Sequence, residues 1–131
     1  MCHNIEIEKD WKLAYITASC RVDAVELKEI FLETVSHGDW QAGFNMLCDY
    51  SRIEHFDVTH QDIDNINEWQ TSIDALIGKG RCAVVASRDI VYGMTRMWEM
   101  VSSNRQQQIS VFRNVKDALM WLGCPDSEQK C

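Results

Sequence analysis

Polar and apolar residues alternate from the start of the chain. Between Asn4 and Lys9, Ile5 and Ile7 stand against Glu6 and Glu8, the period of two that a half-buried strand shows. Asp10 and Trp11 make a turn. From Lys12 to Arg21, Leu13, Tyr15 and Thr17 alternate with Ala14, Ile16 and Ala18, so the chain opens with an antiparallel strand pair. The period then changes: with Asp23 as a cap, Val22, Val25, Leu27, Ile30, Phe31 and Thr34 recur at helical spacing until His37 and Gly38 break the run. Asp39 to Gly43 follows as a loop that contains Trp40.

Phe44, Met46, Leu47 and Cys48 then form a short apolar strand that ends on a carboxylate at Asp49. A polar turn leads to a second carboxylate, Asp57, and Thr59 starts a second helix, with Asp62 three residues on as its capping-box partner. Ile63, Ile66, Trp69, Ile73 and Leu76 or Ile77 make its buried stripe, and Gly78 and Gly80 end it. The run RCAVVAS from Arg81 to Ser87 is continuous and β-branched in its middle, as a central strand covered on both faces requires. A third helix repeats Ile90, Met94, Met97 and Val101. Gln108 to Arg113 reads as the last strand, and Val115, Leu119 and Leu122 as the last helix, stopped by Gly123 and Pro125. The order ββαβαβαβα predicts an α/β fold: one domain over residues 1–124, built on a mixed, mostly parallel sheet covered by helices, with a flexible tail at 125–131.

Composition narrows the function classes. The 131 residues are enough for one domain with its own core, and 46% hydrophobic against 25% charged residues is the balance of an ordinary soluble globule. A net charge of −7 argues against nucleic acid or an anionic membrane surface as the main partner, because Lys and Arg supply that attraction. No apolar run reaches the length of a spanning helix, and the stretch MCHNIEIEKDW lacks the apolar segment of a signal peptide, so a cytoplasmic location is expected. The six cysteines contain no CxxC pair. Cys20, Cys48 and Cys82 lie in or beside β-like runs and are expected to be free, buried and apolar in behaviour rather than part of an oxidised framework.

The corner around NMLCDYSRIEHFDVTHQD is the candidate site, since ligands and partners of parallel α/β sheets meet the protein at the carboxyl ends of strands. Asp49, Ser51, Asp57, Thr59 and His60 are its candidate partner-binding residues. Asp49 and Asp57 form an acid pair only if their side chains approach; otherwise they cap turns. His55 and His60 flank Asp57 without the recurring three-ligand spacing of a metal site, so neither metal nor cofactor is expected. Nothing in the sequence supplies a nucleophile motif, and no enzymatic activity is expected.

The segment DYSRIEHFD followed by VTHQDI resembles the STAS domain of bacterial anti-sigma factor antagonists, where DLSxVxxID precedes two serines and a glycine. The whole chain is more similar to the small SpoIIAA-like, STAS-like or CRAL-TRIO-like proteins. Gly43, Phe44, Leu47 and Asp49 match their strand entry, Tyr92, Gly93, Met94, Arg96 and Met97 their YGMxRM run, and Val111, Phe112, Arg113, Ala118, Trp121 and Leu122 their last strand and helix. The resemblance implies a SpoIIAA-like fold and, in its phosphoswitch members, phosphorylation of the first serine after the Asp. Here Val58 holds that position and has no hydroxyl. Thr59 stands at the second serine, where its expected role is the helix cap, and His60 replaces the glycine.

A second candidate surface lies on the third helix. Trp40, Tyr92, Met94, Arg96, Met97 and Trp98 combine thioethers, aromatics and a cation, the make-up of adaptable contact surfaces as well as of irregular cores. Two functions therefore stand side by side: a non-catalytic STAS-like regulatory or interaction module with a protein partner, and a pocket protein holding a lipid or other apolar molecule between the third helix and the sheet. The first predicts a filled core, the second a cavity of several hundred Å3. Homodimerisation through edge strands or aromatics is also open.

Overall fold

The computed structural model describes residues 2–123. Its strands are β1 (His3–Glu8), β2 (Leu13–Asp23), β3 (Asn45–Asp57), β4 (Arg81–Val85) and β5 (Gln108–Phe112). Its helices are α1 (Ala24–Ser36), α2 (His60–Ser72), the short α3 (Asp74–Ile77), α4 (Asp89–Val101) and α5 (Val115–Leu122), with one 3-10 turn at Lys9–Trp11. The sheet order is β1-β2-β3-β4-β5; β1 is antiparallel to β2 and every other pair is parallel. Strands added in sequence through right-handed crossovers put all their connecting helices on one face. Thus α1, α2 and α4 share a layer, and α5, which follows the last strand, returns to the other side. The mixed, mostly parallel sheet is the one expected. The tail expected at 125–131 lies outside the described residues.

Two cores result. On the α1/α2/α4 face, Ala14, Ile16, Cys48, Tyr50, Cys82 and Val84 of the sheet pack against Leu27, Ile30, Phe31, Ile63, Ile66 and Trp98. On the other face, Leu13, Leu47, Ala83 and Val85 meet Ala118, Leu119 and Leu122 of α5. The central strand is sealed on both sides: Met46, Leu47 and Cys48 have no exposed surface. Each Leu- or Ile-sized side chain removed from water in this way contributes roughly 1.5–3 kcal/mol against chain entropy.

Several sequence expectations change. The strand that was to stop at Asp49 runs on to Asp57 as one 13-residue element, paired along its length with the 11 residues of β2. Two register shifts absorb the difference, between Thr17 and Ser19 and between Cys20 and Arg21, each leaving one extra residue on β3. Cys20 is held at φ 60° beside the second shift, the left-handed geometry that bulges accommodate. α1 turns Glu26 inward and leaves Val25 64% exposed; α4 buries Val91, Met94, Thr95 and Trp98 and leaves Ile90 outside. In α2 the third buried position is Gln70, whose Oε1 accepts a 2.8 Å hydrogen bond from Trp98 Nε1, and the helix stops at Ser72, short of Ile73. Ile77 is buried on α3 and Leu76 exposed.

The cysteines divide differently as well. Cys48 and Cys82 are free, buried thiols 3.9 Å apart, as expected, and their contact together with burial pushes the Cys82 thiol pKa well up. Cys20 is not free: it is bonded to Cys2, with the Cα atoms 5.9 Å apart. The pairing of β1 with β2 brings His3 opposite Ala18, which sets the two cysteines across the same strand pair.

Beside that disulfide, His3 fastens β1 to α1. Its ring bonds Glu26 through Nδ1 at 2.9 Å and Glu33 through Nε2 at 2.6 Å. Burial works to lower its pKa, but the two carboxylates outweigh burial and raise it above the usual 6.5. A raised folded pKa adds stability that is complete below about pH 6.5 and is lost as pH rises through the folded value. Urea midpoints of the wild type should therefore fall between slightly acidic and alkaline pH. The His3→Gln variant should lack that slope, and an unchanged slope would disprove the latch.

Two glycines give an internal contrast. A Cβ on Gly80 would run into the Phe44 and Gly43 carbonyl oxygens, both backbone, whereas a Cβ on Gly93 in α4 would meet nothing within 4 Å. Gly93 thus makes no close helix approach. Gly93→Ala should raise stability by about 0.5–1 kcal/mol through helix propensity, and Gly80→Ala should lower it by more than that, both read from denaturant melts.

Candidate functional site

The carboxyl end of the sheet is uneven. β4 pairs with β3 only as far as Val85 opposite Asp49, while β2 and β3 continue as a two-stranded ribbon from Ser19–Asp23 and Arg52–Asp57. Its outer backbone would lack partners past Asp49 without the β4–α4 loop. Ser87 Oγ donates to Ser51 O at 3.2 Å, and the guanidinium of Arg88 donates to Ile53 O at 3.3 Å and to Glu54 O. Side chains thus stand in for the missing strand. Arg113, after β5, braces the same loop: it donates to Ser87 O at 3.1 Å and Asp89 Oδ1 at 2.9 Å and lies 3.8 Å over the Tyr92 ring.

Within this frame the five candidate residues fall into two groups. Asp49 and Ser51 alternate with Cys48 and Tyr50, whose side chains enter the α1/α2/α4 core, and so project to the α5 side. There Asp49 Oδ1 accepts from the Ser51 amide at 3.1 Å and from its hydroxyl at 2.6 Å, a local turn-like pair. Asp57 lies eight residues further along the strand, roughly 25 Å at ~3.3 Å per residue. It accepts two bonds from Arg21, at 3.0 and 2.5 Å. The two carboxylates therefore do not form an acid pair. Thr59 and His60 continue from Asp57 into α2 and are exposed with it.

Thr59 is the cap that the sequence indicates. Its hydroxyl accepts from Asp62 N at 3.1 Å and its amide donates to Asp62 Oδ2 at 2.9 Å, a complete capping box. Val58, at the family's phosphorylated position, is 8% exposed and part of the core. His55, Asp57 and His60 belong to no metal-sized group, and no cluster of three or more potential ligands occurs among the described residues.

The second candidate surface is dispersed. Trp40 is buried rather than presented by its loop: its indole donates to Leu76 O at 2.9 Å and its ring meets Phe44 edge-on. Met94 and Trp98 are buried, Met97 and Tyr92 half-buried, and Arg96 pairs with Glu99 at 3.3 Å on the outer face.

A cleft does exist between the helices and the sheet. α1 contributes Leu27 and Phe31, β3 Tyr50 and Phe56, α2 Ile63 and Ile66, and α4 Thr95 and Trp98. Of the six residues proposed from sequence only Trp98 lines it. The cleft measures about 330 Å3 when space open to solvent is counted, and its enclosed part has room for little more than a water molecule. Its exposed lining is wholly apolar. The Tyr50 ring contributes to it, while the Tyr50 hydroxyl is buried behind the cleft beside Cys48 and Cys82, where burial and those thiols push its pKa well up. Glu26, Gln70, Ser87, Arg88, Arg105 and Arg113 are structural polar residues that periodicity alone does not single out.

No protein-family model matches this chain. Nor does any curated protein. Among solved structures, an uncharacterised protein of the DUF3478 family from Shewanella loihica PV-4, described as having a SpoIIAA-like fold, superposes with a TM-score of 0.58 at 17% identity, covering 92% of this chain and 94% of that one. The present chain thus has a SpoIIAA-like α/β fold, as its sequence resemblance implied.

Thr59→Ala should cost about 1 kcal/mol through loss of the cap, whereas Arg21→Ala, which breaks an ion pair between side chains 71% and 57% exposed, should cost under ~0.5 kcal/mol. Chemical denaturation of the two variants checks the ranking. Equal costs would mean that the capping box is not what holds this corner.

Proposed function

We propose that the protein is a non-catalytic interaction module of SpoIIAA-like fold that engages a protein partner through the end of the β2–β3 ribbon and the first turn of α2. The observation that carries this reading is the ribbon itself. It extends past the other strands, ends on the exposed Asp57, Thr59 and His60, and has the Ser51, Ile53 and Glu54 carbonyls of its β3 edge already taken by Ser87 and Arg88, which favours recognition through side chains. Asp49 and Ser51 would form a separate margin on the α5 side. With Val58 buried and Thr59 engaged as the cap, regulation by phosphate at the family's position has no hydroxyl to use.

A second reading, binding of a small apolar molecule, is favoured by one observation: a cleft between the helices and the sheet whose exposed lining is wholly apolar. The cleft would have to widen, because its enclosed part is small for an ordinary ligand. No helix among the described residues is long and apolar enough to cross a membrane. The cytoplasmic location belongs to the proposal, and in that compartment the Cys2–Cys20 bond would be kept reduced.

Affinity capture from the native host, followed by native mass spectrometry, separates the readings. The expected result is a stoichiometric protein partner held by the wild type and lost from Asp57→Ala/His60→Ala at unchanged melting temperature. A partner held equally by both would move the interface elsewhere on the molecule. An apolar molecule released on denaturation would favour the cleft.

A further inference from the structure

A buried charge without hydrogen-bond partners lies at the opposite end of the sheet from the ribbon. Arg105 sits in the loop between α4 and β5 and is only 8% exposed, yet Nε, Nη1 and Nη2 all lack a hydrogen-bond partner. Its guanidinium lies 5.6 Å from the Trp98 ring centroid, and the Trp98 indole is bonded to Gln70. Gln70 Nε2 is in turn buried and unpartnered, as are both amide atoms of Gln107, which is 3% exposed. Gln107 lies two residues after Arg105, in the same loop directly before β5.

These groups are unbalanced in kind. Arg105 presents only donors, and Gln70 adds its amide N–H groups. At this end of the sheet the buried unpartnered side-chain acceptors among the described residues are Asp74 Oδ1 and Gln107 Oε1. Burial works to lower the Arg105 pKa and the Asp74 carboxylate to raise it, and Asp74 already accepts from Gln106 through Oδ2. Even with Oδ1 turned fully onto the guanidinium, most of its N–H groups would stay unmatched. A buried cation without acceptors costs several kcal/mol, and what the cluster lacks is oxygen acceptors carrying negative charge. A planar fork held against an indole face matches the paired oxygens of a carboxylate or phosphate group.

We propose that Arg105, with Gln70 and Gln107 beside it, forms a binding site for one small oxyanion at the amino ends of β4 and β5. The site is independent of the ribbon and of the cleft reading. It is tested by thermal melts of the full chain in sodium phosphate, sodium acetate and sodium chloride at equal ionic strength and neutral pH.

Phosphate or acetate at about 10 mM should raise the melting temperature by a few degrees over chloride, in a saturable way. A shift with phosphate alone assigns a phosphate group, and a shift with acetate alone a carboxylate. Arg105→Gln should abolish the shift. Arg105→Lys, which keeps the charge and loses the fork, should weaken apparent affinity on the order of tenfold. Should Arg105→Gln not fold, Gln107→Leu should still reduce the response. Equal shifts in all three salts, or a shift that survives in the variant that folds, would overturn the site and leave Arg105 held by ordered water and Asp74.

Discussion

The parallel pairing of β2 with β3 is the constraint from which the rest of the fold follows. β3 is the middle strand of five and must be covered on both faces, which is why Met46, Leu47 and Cys48 are consecutive, apolar and without exposed surface. Once that triplet is fixed, Cys48 and Leu47 point into different layers, and each layer needs helices. α1, α2 and α4 close one side because their crossovers share a hand, and α5 closes the other against Leu13, Leu47, Ala83 and Val85. The ribbon, the capped start of α2 and the Ser87–Arg88 loop are all consequences of β3 outrunning β4.

How much of this the sequence reveals depends on whether the periodicity survives. β1 and α5 keep a clean period and β4 a continuous apolar run, and these are legible, as are the caps at Asp23 and Thr59, because a side-chain acceptor ahead of a helical run has one local meaning. β3 beyond Asp49 is not legible. Its core-facing residues after Cys48 are Tyr50, Ile53 and Phe56, spaced by two and then by three, because two extra residues are bulged out against β2. Such spacing imitates a turn. It also separates Asp49 from Asp57, so the corner that sequence presents as one site is two places eight residues apart along one strand.

Side-chain chemistry misleads in a similar way where long-range partners decide burial. Gln70 takes a core position because the Trp98 indole supplies its bond, and Glu26 does so because His3 reaches it from β1. Trp40, in a loop, is buried because Leu76 offers a carbonyl to its N–H. In each case the partner lies at least 23 residues away, beyond any local pattern. The SpoIIAA-like resemblance carries the architecture at this distance, while the residues that give its members a switch are replaced.

The disulfide and the His3 latch also decide which border of the sheet is open to another chain. An unpaired outer strand is a template for further strand addition unless charge, covering or anchoring blocks it. β1 is blocked at its start by the Cys2–Cys20 bond and by His3 held against α1, and it carries Glu6 and Glu8 along its length. Among the described residues β5 has none of these, only five residues, QISVF, between a turn and a short helix. Within that part of the chain the sheet is guarded on one flank and plain on the other. A fibril or strand-swapped assembly of this chain would grow from the β5 flank, with brevity as its main protection.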